Sequence, residues 1–115
     1  MSKIILGTAT FGTGYGIANK GVVLTDSTIS ELIITAQSLG IEDFDTAPVY
    51  GSAESLLGQF LNHNFKPRVS SRVSKEACQS VNIMLTEVRE TIKRTKVDKI
   101  TNLYLHDPDA LSGIR

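Results

Sequence analysis

The chain contains few of the residues on which specialised protein classes depend. Its 115 residues include no tryptophan and a single cysteine, Cys78. Because Cys78 has no second cysteine to pair with, an internal disulfide is excluded and a cysteine-based metal site has no support. We therefore predict no metal, and a buried or neutral thiol in a reducing, cytoplasmic environment.

Net charge and long apolar runs are missing as well. Twelve basic and twelve acidic residues cancel to a formal net charge of zero, and no basic stripe is present, so the sequence gives no support for binding to nucleic acids or anionic membranes. The longest apolar runs, 4–6 and 32–34, are far too short to span a bilayer, and the first residues do not fit a signal peptide. We expect no nucleic-acid partner and no membrane association.

Apolar strands and amphipathic helices alternate along the chain. Strands are predicted at 3–8, 41–45, 68–73 and 100–105, with helices between them. A repeat of roughly thirty residues is typical of right-handed βαβ units, so the pattern predicts one α/β domain over 1–115, with a parallel sheet.

The helix ends and faces follow from local signals. Thr25 and Ser52 are predicted to cap the first and second helices, and Gly40 to end the first. The glycines at 12, 14 and 16 fit neither a dinucleotide nor a phosphate-loop motif and predict a turn. The predicted apolar faces of the first and third helices are Ile29, Leu32, Ile33, Ala36 and Leu39, and Val81, Met84, Leu85, Val88 and Ile92.

Polar side chains stand where the predicted strands end. Asp45 ends the second strand, Arg72 lies near the end of the third and His106 follows the fourth, while Tyr50 lies five positions after Asp45. Carboxyl ends of parallel strands share one edge of the sheet, where ligands bind in α/β folds. We expect these four side chains to converge.

Together these residues suit a general acid. A cation beside a phenol favours the charged form of that phenol, so the phenol donates a proton more readily than a free one, and a carboxylate can hold the cation in place. Arg72 supplies the cation and is predicted to pair with Asp45, and His106 would orient a carbonyl oxygen as a neutral imidazole. Lys75 is a minor alternative cation, because an odd offset from Arg72 points to the opposite face of a strand.

Each residue alone has a structural interpretation. Asp45 could cap a turn, Tyr50 could be a core aromatic, Arg72 could belong to a sheet-edge ion pair and His106 could be structural. His63 is predicted to be solvated surface. The four at successive strand ends favour descent from a catalytic site.

The motifs that carry these residues resemble the aldo-keto reductases. The matching segments are 6–12 (LGTATFG), 44–51 (FDTAPVYG), 53–58 (AESLLG) and 103–108 (LYLHDP). The segment 15–19 (YGIAN) resembles a bacterial branch of that family. The resemblance implies a (β/α)8 TIM barrel that transfers hydride from NADPH to the carbonyl of a small aldehyde or ketone.

The resemblance also implies roles for individual residues. Asp45, Tyr50 and His106 match three members of the family's Asp-Tyr-Lys-His tetrad, and Arg72 stands where the lysine is usual. Thr8 and Asp45 would reach the nicotinamide end of the cofactor. A guanidinium supplies the positive charge but cannot give up a proton, so a relay through an amine is closed.

A barrel of this type needs about 250 residues, so the sequence corresponds to its first four strands and three helices. Three interpretations stay open. The chain is the amino-terminal part of a longer reductase, which is the preferred interpretation. Alternatively, it self-associates through its open sheet edge or pairs with a partner chain, or it is a non-catalytic remnant or interaction module.

Overall fold

The structure, a computed structural model, describes residues 4–9, 11, 24–74 and 76–105. Within these ranges three α-helices alternate with four strands, all parallel and in the sheet order β1-β2-β3-β4. The elements are β1 (Ile5–Gly7), α1 (Asp26–Ser38), β2 (Asp43–Asp45), α2 (Ala53–Phe60), β3 (Arg68–Val73), α3 (Val81–Thr95) and β4 (Asn102–Leu105). The predicted α/β fold is confirmed, with β1, β2 and β4 shorter than predicted.

Helix α1 begins and ends where the sequence indicated. The Thr25 hydroxyl accepts a hydrogen bond from the Thr28 amide at 3.2 Å, and Gly40 follows the helix with φ +90°. Its buried face is narrower than predicted, because only Ile29, Ile33 and Ala36 are buried. These positions are spaced by four and three residues, so they form one stripe on the helix, whereas Leu32 and Leu39 are exposed.

Helices α2 and α3 approach each other closely at Gly58. A Cβ atom on Gly58 would overlap the backbone carbonyl of Arg94, so only glycine fits at this crossing. Ser52 does occupy the position before α2, but its side chain makes no capping hydrogen bond. The predicted cap by its hydroxyl is therefore wrong.

The predicted apolar face of α3 is only partly confirmed. Met84, Val88 and Ile92 are half-buried, whereas Val81 and Leu85 are exposed and the fully buried residues of this helix are Thr91 and Thr95. The reason is hydrogen bonding: Thr91 reaches a buried carboxylate on α2, and the Thr95 hydroxyl donates to the Thr91 carbonyl at 2.8 Å. Polar groups enter a core when each finds a partner.

The largest core cluster lies between the sheet and helices α1 and α2. Phe44 and Val69, on neighbouring strands, are fully buried against Ile33 and Leu57. A second, smaller cluster contains Val73, Ala77 and Cys78 beside α3. Cys78 is buried, as predicted.

The amino ends of β2 and β3 are joined by an ion pair. Arg68 Nε donates to Asp43 at 2.9 Å, and a guanidinium nitrogen donates to Glu42 at 3.0 Å. The hydrogen bond that Arg68 donates to Asp43, reinforced by the negative charge of that carboxylate, raises the pKa of the Arg68 guanidinium above its ordinary value.

His63 departs from the expected exposed position. It begins a short 3-10 helix, His63–Phe65, is half-buried, and its Nε2 lies 2.9 Å from the Thr95 carbonyl oxygen at the end of α3. The predicted solvated surface role is therefore wrong.

Among the described helices, none is long and apolar enough to cross a bilayer.

Candidate active site

Two neighbouring strands and one loop position the candidate site. Asp45 is the last residue of β2, and Arg72 lies one residue before the end of β3. The strands pair in parallel with Asp45 opposite Ser70, so Arg72 extends two residues beyond that point on the same face of the sheet. Tyr50 lies in the turn between β2 and α2, and its backbone N–H donates a hydrogen bond to the Ala47 carbonyl oxygen at 3.1 Å.

The Arg72 guanidinium contacts the side chains of both Asp45 and Tyr50. Arg72 Nη2 donates to Asp45 Oδ2 at 2.6 Å, and Arg72 Nε donates to the Tyr50 hydroxyl oxygen at 3.2 Å. The first is a short, charge-assisted hydrogen bond, and the second is an ordinary one. We call Asp45, Tyr50 and Arg72 the strand-end cluster. The structure brings these three predicted site residues together, and their catalytic roles stay predictions.

The strand-end cluster is partly open to solvent. The side chains of Arg72 and Asp45 are 30% and 23% exposed, and Tyr50 is half-buried. Partial burial strengthens the attraction between guanidinium and carboxylate relative to bulk water, while leaving the phenol within reach of a small molecule.

One oxygen of the cluster is buried without a hydrogen-bond partner. Asp45 Oδ1 has none among the described residues, and neither does the adjacent Thr46 hydroxyl. Buried polar atoms in folded proteins nearly always have a partner, so the unpaired carboxylate oxygen keeps acceptor capacity for a donor such as water or a ligand.

The other predicted positions are placed less directly. Thr8 is fully buried and its hydroxyl donates to the Asp45 backbone carbonyl at 3.0 Å. This bond joins the end of β1 to β2, and cofactor contact by Thr8 stays a prediction. His106 and Lys75, together with the glycines at 12, 14 and 16, lie outside the described residues.

The sequence interpretation missed Tyr104. This residue of β4 pairs in register with Arg72 of β3, and the Arg72 guanidinium carbon lies 5.5 Å from the centre of its ring. That geometry is within the range of a cation–π contact. Its position two residues before His106 on the predicted strand was the available signal, because alternate strand residues share a face.

A second polar group lies on the opposite face of β3, toward the helices. Glu54 of α2 is buried, and it accepts hydrogen bonds from Thr91 at 2.8 Å, Arg94 at 2.6 Å and Ser71 at 3.4 Å. We call these four residues the Glu54 network. Both oxygens of this carboxylate have partners, which indicates a structural role.

Two further observations concern ligand sites. An open groove of about 690 Å³ lies beside the Tyr50 loop, but its lining does not include the strand-end cluster. Among the described residues, no group of three or more His, Cys, Asp or Glu side chains could hold a metal ion. The groove is lined by Pro48, Gly51, Asn82, Ile83, Thr86, Glu87, Glu90 and Arg94.

Comparisons with solved structures agree with this architecture. An aldo-keto reductase from Pseudomonas aeruginosa is 29% identical, with a TM-score of 0.78 over 96% of this chain and 46% of that protein. A thermostable aldo-keto reductase crystallised with the inhibitor epalrestat has 24% identity and a TM-score of 0.68 over 96% of this chain and 43% of its own. A silkworm (Bombyx mori) aldo-keto reductase has 16% identity and a TM-score of 0.71, over 90% of this chain and 32% of its own.

The chain therefore spans less than half the length of these relatives, and its four-stranded sheet corresponds to part of their (β/α)8 TIM barrel. No curated protein matches the chain. The family model described as "Aldo/keto reductase family" matches residues 3–114, nearly the whole sequence. The chain thus belongs to the aldo/keto reductase family.

Proposed function

We propose that this chain supplies the proton-donating part of an oxidoreductase site that reduces a small aldehyde or ketone to an alcohol with NADPH. The observation that supports this most directly is the Arg72 guanidinium, which donates hydrogen bonds to both Asp45 and Tyr50. Family membership favours the same reaction class.

Tyr50 is the general acid in this proposal. As hydride adds to the carbonyl carbon, the C=O π electrons move to oxygen, and the Tyr50 hydroxyl gives that oxygen its proton. The phenolate left behind faces Arg72 Nε at hydrogen-bond distance, so its charge is stabilised where it forms. Solvent then returns a proton to the phenolate.

Asp45 and Arg72 hold the acid in place. The 2.6 Å bond to Asp45 fixes one edge of the guanidinium, which leaves Nε directed at the phenol. Arg72 stays charged throughout because a guanidinium does not lose its proton in proteins. We propose from the sequence that His106 orients the substrate oxygen.

The residues present fit the nicotinamide end of the cofactor. NADPH, when bound, supplies the hydride. The buried and unpaired Asp45 Oδ1 is an acceptor for a ribose hydroxyl, and the neighbouring Thr46 hydroxyl is a second free polar atom among the described residues. Thr8, bonded to the Asp45 carbonyl, would support that strand end from beneath.

A second role rests on the edges of the sheet. β1 and β4 each pair with one neighbour in the described residues, and Ile5 and Leu103 on these strands are exposed. Unpaired edges with apolar side chains favour addition of further strands. We propose that the chain associates through these edges, with a second copy or with a chain that carries the remaining strands.

The test uses the 115-residue chain. NADPH fluorescence would report binding, and loss of 340 nm absorbance with 4-nitrobenzaldehyde would report turnover. Tyr50→Phe is expected to keep NADPH binding and to lose at least about a hundredfold in kcat. Arg89→Lys, which changes an exposed arginine on α3, is the control for nonspecific effects of a substitution and should retain both NADPH binding and turnover.

Turnover that survives Tyr50→Phe would contradict the role of the phenol as acid. Failure to bind NADPH, in a chain that gel filtration shows to be monomeric, would instead favour a non-catalytic module. Gel filtration of a dimer or larger species, lost when Leu103→Lys places a charge on β4, would support edge association.

A further inference from the structure

Arg72 differs from a simple cation because its charge is spread over a plane. A flat guanidinium donates along fixed directions, so its hydrogen bonds depend on the orientation of that plane. In the strand-end cluster two of these directions are used, toward Asp45 and toward Tyr50. Both contacts lie along the edge of the guanidinium, and hydrogen bonds at an edge alone leave its face to be fixed by another group.

The Tyr104 ring lies within cation–π distance of the Arg72 guanidinium. Arg72 and Tyr104 are partners in the parallel pairing of β3 and β4, so they project from the same face of the sheet. The guanidinium carbon is 5.5 Å from the ring centre. Arginine stacks on aromatic faces through both charge and planarity, which a lysine ammonium cannot reproduce.

We propose that Tyr104 is a positioning residue that holds the Arg72 guanidinium in the plane from which Nε reaches the Tyr50 hydroxyl. This inference rests on the proposed function of Tyr50. It adds that Arg72 acts together with Tyr104 of β4, which orients the guanidinium plane in a way that the hydrogen bond to Asp45 alone does not.

Exposure argues against a merely structural role for the ring. Tyr104 is 48% exposed and lies outside both buried core clusters of the described residues. A ring that leaves half its surface in solvent contributes little to core packing. Its contact with Arg72 is therefore the feature that distinguishes it from the leucines on either side, Leu103 and Leu105.

The sharpest test measures the Arg72 side chain directly. In the 115-residue chain, the Arg72 Nε–H resonance would be assigned by its loss in Arg72→Lys, and its exchange with solvent measured by NMR. Tyr104→Leu is expected to speed that exchange about fivefold and to remove the ring-current shift of the resonance. Tyr104→Phe keeps the ring and should change neither.

Phe65→Leu is the matched control, because it removes an exposed ring from the 3-10 helix that precedes the amino end of β3, whereas Arg72 lies near the carboxyl end of that strand. Equal exchange rates in the parent chain and Tyr104→Leu would overturn the proposal. So would an equal effect of Tyr104→Phe, which would assign the effect to the hydroxyl. If Tyr104→Leu does not fold, the parent chain still decides, since absence of an NOE between the ring and the Arg72 side chain overturns the contact.

A turnover arm separates this inference from the proposed function. Where NADPH oxidation is measurable, Tyr104→Leu should lower kcat about fivefold and leave KM nearly unchanged. The same change in an Arg72→Lys background should have a smaller effect, because an ammonium has no plane to orient. If Tyr104→Leu speeds exchange of the Arg72 Nε–H but the chain shows no turnover, the proposed function is rejected and the positioning of Arg72 by Tyr104 is retained.

Discussion

An arginine–carboxylate pair lies near each face of strand β3, and the two pairs differ in burial and in hydrogen bonding. Arg72–Asp45 and Arg94–Glu54 have the same 2.6 Å separation between nitrogen and oxygen. Glu54 is only 2% exposed in its side chain and both its oxygens accept hydrogen bonds, whereas Asp45 is 23% exposed and its Oδ1 has no partner among the described residues.

The difference separates a structural carboxylate from a functional candidate. A buried carboxylate with every lone pair engaged holds two helices and a strand in one arrangement. One that leaves an acceptor unpaired at the carboxyl edge of a parallel sheet keeps capacity for a ligand. Distance alone would not have distinguished them.

The largest expected effect comes from removing Glu54. Glu54→Ala leaves Arg94, Thr91 and Ser71 without their acceptor, and we expect the free energy of unfolding to fall by about 3 kcal/mol. Urea unfolding followed by circular dichroism would measure it. Glu90→Ala is the control, since the exposed Glu90 lies 3.9 Å from the same arginine and should change stability by less than about 0.5 kcal/mol. Equal losses of stability in the two variants would show that Glu54 contributes no more to stability than the exposed Glu90.

The close contact that supports the Glu54 network should be nearly as sensitive. Gly58→Ala places a methyl group against the Arg94 carbonyl, and we expect a loss of about 2 to 3 kcal/mol because backbone must move. Thermal unfolding would measure the change. Gly7→Ala is the control, because a Cβ there meets no atom within 4 Å. A neutral Gly58→Ala would mean that α2 and α3 can separate freely.

Removing the charge of Asp45 should affect stability less and chemistry more. Asp45→Asn is expected to cost about 1 kcal/mol of unfolding free energy, since the ion pair with Arg72 is partly exposed. NADPH affinity should fall about tenfold if Oδ1 accepts a ribose hydroxyl. Unfolding and fluorescence titrations would measure the two effects. A stability loss as large as that of Glu54→Ala would remove the distinction between the two carboxylates.

The pair at the amino ends of β2 and β3 should show the smallest effect, because the Arg68 side chain is 43% exposed although Asp43 is buried. Because Asp43 raises the pKa of Arg68, the stabilisation is present below the ordinary arginine pKa and is lost only as pH rises through the higher folded value. Both lie well above the range from about pH 6 to pH 9. The stability difference between the parent chain and Arg68→Gln should therefore stay constant over that range and shrink in 1 M salt, as measured by urea unfolding. A pH-dependent difference would contradict this assignment.

Much of the architecture was readable because it depends on local pattern. Strand β3 matched its predicted bounds, and Thr25 and Gly40 mark the ends of α1 as predicted. The face of α3 was only partly readable: Met84, Val88 and Ile92 are half-buried, but apolar periodicity cannot indicate which polar residues are buried. Thr91 and Thr95 are buried more fully, since each has a hydrogen-bond partner that lies far away in sequence or on the preceding turn.

The site divides in the same way. Residue types and strand ends indicated Asp45, Tyr50 and Arg72 as neighbours, but nothing local indicated the ring of Tyr104 or the saturation of Glu54. Arg72 and Tyr104 are 32 positions apart, and Glu54 is at least 37 positions from Thr91 and Arg94. The first contact depends on strand register, and the others depend on the crossing of α2 and α3.

The sequence by itself determined the family, the parallel order of the strands and the edge at which the polar residues gather, because motif spacing and alternating periodicity are local properties. Only the tertiary structure decided which carboxylate has both oxygens hydrogen-bonded and which aromatic ring lies over the Arg72 guanidinium. The physical reason is that hydrogen bonds and stacking act over a few ångströms in space, and separation along the chain does not report that distance.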